Sequence, residues 1–381
     1  MFEILLVDDY EMNVEILEAY LKKSKLPLNM HKAYDGKSAL EILAKQKMDI
    51  VLLDVMLPDI SGIEICKIIK KKDPNLPVVL ITALKDRKNL HDGLLAEADE
   101  YLTKPVDSNE LILRLKNLLT IRKLYVEKEE RYQKLRKELG MAQMLQQSFL
   151  PKNAPNYQNL QIESVYMPCS FVGGDFYDYL PNEKGIGIFI ADVKGKGIAS
   201  AMVTATLKDN LQRLREEWAR PDVLLRELNR ALNEFFAHGM EDYFVTAFYG
   251  IVNASKEVVI YSNAGHCPPL LLGEEAVEID TDGGFPLGLF AESRYELKVA
   301  EFPFGGQMFC YTDGIFELKL FGRDWHEVIS VKELLDKVYP EGFGRDELEE
   351  LKREIRNNLN EDIDDDINYI ALYNSGGKKN D

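Results

Sequence analysis

The sequence predicts two folded domains of different class joined by a helix. The first is a doubly wound α/β domain with five parallel strands in the order 2-1-3-4-5, and the second is an α+β sandwich of two antiparallel sheets flanked by helices. Three observations predict this: strand–helix alternation up to about residue 120, a long proline-free stretch after it, and strands and helices in separate blocks beyond Pro151. A chain of 381 residues is long enough for both.

The first domain, residues 1–120, is predicted from its apolar runs. The clearest are 4–7, 50–53 and 78–81, with weaker ones near Met30 and Tyr101. Amphipathic stretches such as 13–21 and 37–45 lie between them. This alternation favours a parallel sheet with helices on both faces, and such sheets bind ligands beyond the carboxyl ends of their strands.

A helical linker is predicted for residues 121–150, and the proline-free helical stretch to which it belongs runs over 107–149. That longer stretch has no proline and one glycine, Gly140, before Pro151 ends it. Apolar and aromatic residues recur at three- to four-residue spacing from Leu118 to Phe149, which is typical of a coiled coil. We therefore expect a homodimer through this helix; the alternative is a single helix packed on its own domain.

The second domain is predicted over residues 151–374. Strand-like stretches occupy 161–166, 243–252, 257–262, 295–302, 307–311 and 368–373, and helical stretches occupy 199–218, 221–236 and 346–359. Separate blocks of this kind favour antiparallel sheets with helices outside. The Gly- and Lys-rich tail, 375–381, is predicted to be disordered.

Composition excludes several functions. The net charge of −17 argues against DNA binding, which depends on clustered Lys and Arg. The four cysteines are far apart in sequence, as expected of reduced thiols rather than disulfides or a zinc site. No apolar run is long enough to span a bilayer, and the first nine residues carry acids where a signal peptide carries positive charge. We expect a cytoplasmic protein with no membrane partner.

Acidic residues follow two neighbouring strands of the first domain. Asp8 and Asp9 come after the first apolar run, and Asp54 follows the run at 50–53. Their carboxylates should converge at one edge of the sheet, where oxygen ligands suit Mg²⁺. Thr82 and Lys104 end two further strands, so a hydroxyl and an ammonium can contact a phosphoryl group carried by a carboxylate beside the metal.

With these five positions in this order, residues 1–120 resemble the receiver domain of bacterial response regulators. The resemblance implies that Asp54 is phosphorylated by a sensor histidine kinase, and that Asp8, Asp9 and Asp54 hold Mg²⁺. It also implies that Thr82 and Lys104 contact the phosphoryl group, and that Tyr101 is the switch aromatic. A cis peptide bond between Lys104 and Pro105 is expected from the same resemblance.

Four acidic segments mark the second domain, each beside a glycine-rich turn or a strand end. They are 172–178, 191–197, 311–314 and 364–368. Glycines let the backbone approach an ion closely. Carboxylates without His or Cys partners select Mg²⁺ or Mn²⁺ rather than zinc, and two such ions activate a water for attack on phosphorus.

Residues from about 140 to 374 resemble metal-dependent serine/threonine phosphatases of type 2C. The similar branch is the bacterial one typified by the stage II sporulation phosphatase and the stress-sigma-factor regulators; its lead-in is matched at 142–151, and Asn263-Ala264-Gly265-His266 matches as well. The resemblance implies two Mn²⁺ or Mg²⁺ ions in this domain. The implied metal ligands are Asp175, Asp192, the carbonyl of Val193, Asp313 and Asp365, with Asp178 and Asp366 as secondary candidates.

Some residues keep alternative interpretations. The run of three Asp leaves open whether Asp365 or Asp366 contacts metal. The sequence has no Arg before Asp175 that could hold the substrate phosphate. Lys194 or Lys196 is an alternative phosphate ligand, although lysines beside an acidic site are more often solvated. His266 is a candidate general acid, but a role in ordering a turn is favoured. Asn368 stands where the family usually has Thr.

The combined prediction is a response regulator whose output is an enzyme. It removes phosphate from phosphoserine or phosphothreonine on a partner protein, for which the resemblance suggests an anti-sigma-factor antagonist, under control of Asp54 phosphorylation. The alternative is a catalytically weak adaptor that sequesters a signalling partner. Retention of all four carboxylate positions argues against that alternative. A DNA-binding output is disfavoured because the chain has no basic recognition helix.

Overall fold

The chain forms two compact units, Met1–Arg136 and Lys137–Asp381. The computed structural model describes residues 1–83, 97–237, 239–240, 242–273, 275–281, 284–359 and 363–375. Ser375 donates a backbone hydrogen bond to the carbonyl of Asn159, and the rest of the predicted tail lies outside the described residues. Among the helices described, none combines the length and the apolar character needed to cross a membrane.

The first unit contains the predicted parallel sheet in the order β2-β1-β3-β4-β5. Its strands are β1 (Phe2–Val7), β2 (Leu28–Ala33), β3 (Ile50–Asp54), β4 (Val78–Thr82) and β5 (Glu100–Thr103), and its described helices are α1 (Glu11–Lys23), α2 (Gly36–Lys45), α3 (Gly62–Lys72) and the first part of α4 (Ser108–Phe149). Strands β3 and β4 are buried throughout because helices cover both faces of the sheet. The Lys104–Pro105 peptide bond is cis, as expected.

The second unit contains two five-stranded antiparallel sheets, ordered β13-β10-β9-β8-β7 and β12-β11-β14-β15-β6. Its strands are β6 (Leu160–Met167), β7 (Phe176–Asn182), β8 (Gly185–Val193), β9 (Val245–Asn253), β10 (Val258–Ala264), β11 (Leu270–Leu272), β12 (Ala276–Glu278), β13 (Lys298–Glu301), β14 (Gln307–Tyr311) and β15 (Ile367–Asn374). Its helices are α5 (Ile198–Arg213), α6 (Pro221–Phe236), α7 (Val331–Val338) and α8 (Arg345–Asn358), together with the end of α4. The predicted sandwich is confirmed.

Alternation along the strands builds four layers in this unit. In β8, Phe189 and Ala191 pack against α5 and α6, whereas Ile188 and Ile190 face the other sheet. Side chains two residues apart share a face of a strand, so a single strand contributes to both cores. The second sheet does the same, with Phe309 of β14 packed against α7 and α8.

Five elements depart from the sequence prediction. Strand β7 was predicted only as an acidic turn, and α7, β11 and β12 were not predicted, because each is three to eight residues long and offers little periodicity. The helix predicted over 199–218 ends at Arg213 and is followed by a 3₁₀ turn. That turn lets Trp218 bury its ring and donate its indole hydrogen to the carbonyl of Leu211.

Candidate active site and phospho-acceptor site

The three predicted acids of the first unit meet at the carboxyl ends of β1 and β3. Carboxylate oxygens of Asp8, Asp9 and Asp54 all lie within 4.8 Å of one another. Asp8 and Asp54 are buried, while Asp9 is exposed. Within the part of the chain that the structure describes, no other three acidic, His or Cys side chains come together this closely.

Lys104 forms ion pairs with two of the three acids in this cluster. Its Nζ lies 2.7 Å from Oδ2 of Asp8 and 2.6 Å from Oδ2 of Asp54. The second oxygen of Asp8 accepts hydrogen bonds from the Asn13 amide and the Tyr10 backbone. Burial raises the pKa of Asp54 and the Lys104 ammonium opposes that rise. Asp54 thus has a counter-cation on one oxygen and an accessible acidic neighbour, Asp9.

Thr82 and Tyr101 belong to the adjacent strands. Thr82 is the last residue of β4 and is buried, and its carbonyl accepts a hydrogen bond from the Lys104 backbone. Tyr101 lies in β5 and packs against the apolar core on the α2–α3 side of the sheet. The strand order therefore brings Thr82 and Lys104 to the edge that carries Asp54, as predicted from parallel strands.

Asp175 is the most deeply placed acid of the second unit. It precedes β7, only 2% of its surface is exposed, and its Oδ2 accepts a 2.7 Å hydrogen bond from the Thr312 hydroxyl. Burial raises the pKa of this carboxyl, and the negative charges of Asp192 and Asp366 add to the rise. Thr312 also accepts from the Asn368 backbone, so one hydroxyl links Asp175, β14 and β15.

Asp192 and Asp313 lie at strand ends near Asp175. Asp192 is the penultimate residue of β8, and Asp313 follows β14 at the start of a 3₁₀ turn. Burial and the charges of Asp313, Asp365 and Asp366 raise the pKa of Asp192 to about 7. These acids are close enough to oppose each other's ionisation, although among described residues no three of them converge to 4.8 Å.

Asp365 and Asp366 differ sharply in environment. Both oxygens of Asp366 accept backbone hydrogen bonds, from Cys169 at 2.8 Å and from Gly174 at 2.5 Å, and the residue is buried. Asp365 is half-exposed, and its Oδ2 lies 3.2 Å from Nζ of Lys196. Asp366 therefore fixes the loop before Asp175, whereas Asp365 pairs with Lys196 at a half-exposed position, and its charge adds to the effect of burial in raising the pKa of Asp192 and of Asp313.

Two glycines make this arrangement possible. A Cβ on Gly173 would lie 2.6 Å from Oδ2 of Asp366, and a Cβ on Gly174 would lie 2.8 Å from the carbonyl oxygen of Val193. Both contacts are too close for a side chain, so only glycine lets the loop approach the acids and that carbonyl. The sequence prediction that glycines flank the acidic segments for close backbone approach fits this geometry.

Several other candidates have specific partners. Asp178 is buried and forms a 2.7 Å ion pair with Lys208 of α5. Lys194 lies over the ring of Phe244. His266 is buried, its Nδ1 lies 2.8 Å from the Thr246 hydroxyl, and burial lowers its pKa to about 4.

The turn around His266 is held by a different side chain. The amide of Asn263 donates to the carbonyl of His266 and accepts from its backbone nitrogen. A neutral, buried imidazole inside such a turn fits the favoured turn-ordering interpretation better than general acid catalysis.

Gln146, in the last turn of α4, holds the loop that carries Asp175. Its Nε2 donates to the Gly173 carbonyl at 2.6 Å and to the Thr204 hydroxyl at 3.1 Å, while its Oε1 accepts from the Gly173 nitrogen at 3.0 Å. The sequence interpretation noted Gln146 only within the lead-in. A polar side chain at an apolar seam position was the signal that it has a buried partner.

The donor sets suit hard cations in both units. All candidate ligands are carboxylates plus one main-chain carbonyl, and such oxygen donors are the ligands that Mg²⁺ and Mn²⁺ prefer. In the second unit, burial and then the charges of neighbouring carboxylates raise the pKa of Asp175 and Asp192, and a divalent cation favours the ionised form of such groups. The residues present therefore fit Mg²⁺ or Mn²⁺.

These two folds, each with carboxylates gathered at one edge, are those of a receiver domain and of a type 2C phosphatase domain. Residues 4–116 match the response regulator receiver domain, and residues 182–373, about half of the chain, match Stage II sporulation protein E (SpoIIE). The chain belongs to the Stage II sporulation protein E family and carries a receiver domain before the family's domain.

Three relatives match parts of this chain. Protein IcfG of Synechocystis sp. is 28% identical over 271 residues, which is 62% of this chain and 42% of that protein. Phosphoserine phosphatase RsbP of Bacillus subtilis is 30% identical over 185 residues, 48% of this chain and 46% of that protein. Response regulator PleD of Caulobacter vibrioides is 43% identical over 118 residues, 30% of this chain and 25% of that protein. The chain thus spans less than half the length of each of these relatives.

Proposed function

We propose that this chain is a response regulator whose output is a protein phosphatase acting on phosphoserine or phosphothreonine. The observation that carries the proposal is the acid-lined edge of the sandwich, where burial, together with the charges of Asp313 and its acidic neighbours, raises the pKa of Asp175 and Asp192 beside glycine loops. Similarity to a phosphoserine phosphatase, RsbP, supports the same reaction class.

In this proposal two Mn²⁺ or Mg²⁺ ions are held by Asp175, Asp192, Asp313, Asp365 and the carbonyl of Val193. When bound, such ions supply an activated water and offset charge on the phosphoryl group. The chain's own residues position these ligands: Thr312 orients Asp175 by its 2.7 Å hydrogen bond, and Asp366 fixes the loop before Asp175 through Gly174. Asp178 acts as a structural partner of Lys208 rather than as a ligand.

The receiver domain supplies the control. We assign Asp54 as the phospho-acceptor, with a sensor histidine kinase as phosphodonor, and Asp8, Asp9 and Asp54 as the Mg²⁺ site. Lys104 already spans Asp8 and Asp54, so a phosphoryl group on Asp54 meets an ammonium placed to neutralise it. Thr82 of β4 and Tyr101 of β5 are the residues that we expect to respond to phosphorylation of Asp54.

The partners follow from the class of enzyme. The proposed substrate is a phosphorylated anti-sigma-factor antagonist in the cytoplasm, without DNA contact. We propose that residues 121–150 act as a linker between the domains 1–120 and 151–374. The linker presents exposed apolar side chains, Ile121, Leu124, Tyr132 and Leu135, as expected of a helix that pairs with a second copy. Pairing of this helix with that of a second copy would give a homodimer.

Substitution at Asp192 tests the phosphatase reaction. With purified full-length protein and a phosphoserine peptide, hydrolysis is expected to require Mn²⁺ and to fall by at least about a hundredfold in Asp192→Asn, as for loss of a group that stabilises transition-state charge. Asp209→Asn, at an exposed position of α5, is the matched control and should retain activity. Absence of Mn²⁺-dependent hydrolysis in the wild-type protein and in its isolated 137–381 unit would favour the adaptor instead.

A further inference from the structure

The receiver unit contains a cavity at the edge of its sheet opposite the phospho-acceptor. Its volume is about 720 Å³, and it lies between the carboxyl-terminal ends of α2 and α3. Leu43, Met48, Ile69 and Leu76 contribute apolar walls. Met48 and Leu76 directly precede β3 and β4, so the cavity lies at the amino-terminal ends of these strands, whereas Asp54 lies at the carboxyl-terminal end of β3.

One wall of this cavity carries a buried cation. Arg122 of α4 has only 8% of its surface exposed, and its Nη atoms contact the two Asp73 oxygens at 2.9 and 3.4 Å. Its Nε has no hydrogen-bond partner among the described residues, although it is buried. The guanidinium therefore adds a positive charge to this wall, and Asp73 is its one acidic partner among the described residues that line the cavity.

The rim of the cavity is basic although the chain carries a net charge of −17. Lys45, Lys47 and Lys72 line it together with Arg122, and Asp73 is the one acid among the described residues that line it. This balance repels cations and attracts an anionic group to the Arg122 side. The apolar walls, in turn, favour a ligand with hydrocarbon to bury.

We propose that this cavity binds an amphipathic carboxylate, a molecule with an unbranched or lightly branched hydrocarbon chain and one carboxylate head group. The carboxylate lies beside the Arg122 guanidinium and the three lysines, while the chain packs against Leu43, Met48 and Ile69. The volume lies within the range of small-molecule sites, about 300–1,000 Å³, whose walls are mostly apolar with few convergent polar groups. The site is independent of the proposed phosphatase reaction.

Calorimetry on the full-length protein tests this site with three probes. Dodecanoate, kept below its micelle concentration, is expected to bind with one site per chain. Dodecanol, which has the same chain and no charge, should bind at least about tenfold more weakly, because it lacks the negative charge that Arg122 and the three lysines attract. Acetate, the head group alone, should not bind. Failure of dodecanoate to bind, or equal binding of dodecanol, would overturn the proposal.

Two variants locate the binding. Arg122→Gln should weaken dodecanoate binding by at least about tenfold. Its matched control is Arg114→Gln on the same helix, because Arg114 pairs with Glu100 and Glu110 outside the cavity. Ala44→Trp, at the exposed rim, should block the cavity while keeping Arg122, so the proposal remains testable even if Arg122→Gln unfolds. Unchanged dodecanoate binding in Ala44→Trp would contradict the assigned place.

A second copy of the chain is the competing occupant of this surface. Sedimentation velocity of the ligand-free Ala44→Trp protein distinguishes it. An unchanged oligomeric mass is expected, because the cavity holds a small molecule. A lowered mass would show that the same surface is a protein interface, and would overturn the proposal.

Discussion

At the scale of single residues, the adjacent acids Asp365 and Asp366 have different surroundings and therefore different expected roles. Asp366 is buried and accepts a backbone hydrogen bond on each carboxylate oxygen, so both oxygens already have protein partners. Asp365 is half-exposed and contacts only Lys196 and its own neighbour's backbone. We therefore expect the metal ligand to be Asp365 and the structural residue to be Asp366.

Paired substitutions separate these roles. Asp365→Asn should weaken Mn²⁺ affinity by more than about tenfold with little change in the free energy of unfolding, because it removes a ligand from a repulsive cluster. Asp366→Asn should instead lower that free energy by about 1–3 kcal/mol, because an amide oxygen replaces two acceptors and leaves a buried nitrogen unpaired. Calorimetric Mn²⁺ titration and urea unfolding measure the two effects. The reverse pattern would exchange the assignments.

The residue positions of the receiver site were predictable because the carboxyl ends of parallel strands lie at one edge of the sheet. Asp8, Asp54, Thr82 and Lys104 each follow an apolar run, and the observed strand order brings them together. The second site was predictable only as a set of acidic segments. The Thr312 hydroxyl contacts Asp175, more than a hundred positions away, and Lys208 pairs with Asp178, about thirty positions away. No local sequence pattern encodes such pairings.

At the scale of elements, α4 is the most informative part of the chain. It is one helix of 42 residues, and its length follows from the missing prolines and the unbroken seam. Strand β7 was not predicted because Phe176 to Leu180 is buried on both faces and shows no alternation. Short segments in a two-sided core carry little periodic signal, so their type is decided by tertiary packing.

The end of α4 should control the loop that bears Asp175. Gln146→Ala removes hydrogen bonds from both backbone groups of Gly173, which are buried, and should lower activity and raise the Mn²⁺ concentration needed for half-maximal rate. Gln147→Ala, on the exposed side of the same turn, is the matched control and should change neither. Equal behaviour of the two variants would mean that the helix end only packs against the domain.

At the scale of the whole molecule, the two units share one helix and carry separate chemistries. Residues up to Arg136 belong to the unit with Asp54, and residues from Lys137 onward belong to the unit with Asp175. The exposed apolar side chains of α4 lie in the stretch before Lys137 and also beyond it, at Met141, Met144 and Leu145. Pairing with the same helix of a second copy would bury the apolar side chains on both sides of Lys137. A single helix leaves those side chains exposed to water.

Receiver phosphorylation is therefore expected to act through helix pairing. Beryllofluoride, which mimics the acyl phosphate at Asp54, should raise the dimer fraction of the wild-type protein and change its phosphatase rate, and Asp54→Asn should abolish both responses. Leu135→Glu, on the seam, should keep beryllofluoride binding but lose dimer formation and the change in rate, because it places a charge in the helix contact. Gln133→Glu adds the same charge away from the seam and should respond like wild type. Sedimentation velocity and phosphopeptide hydrolysis, measured on the same samples, report the two effects. A Leu135→Glu protein whose rate still responds to beryllofluoride would show that control reaches the phosphatase without pairing of α4.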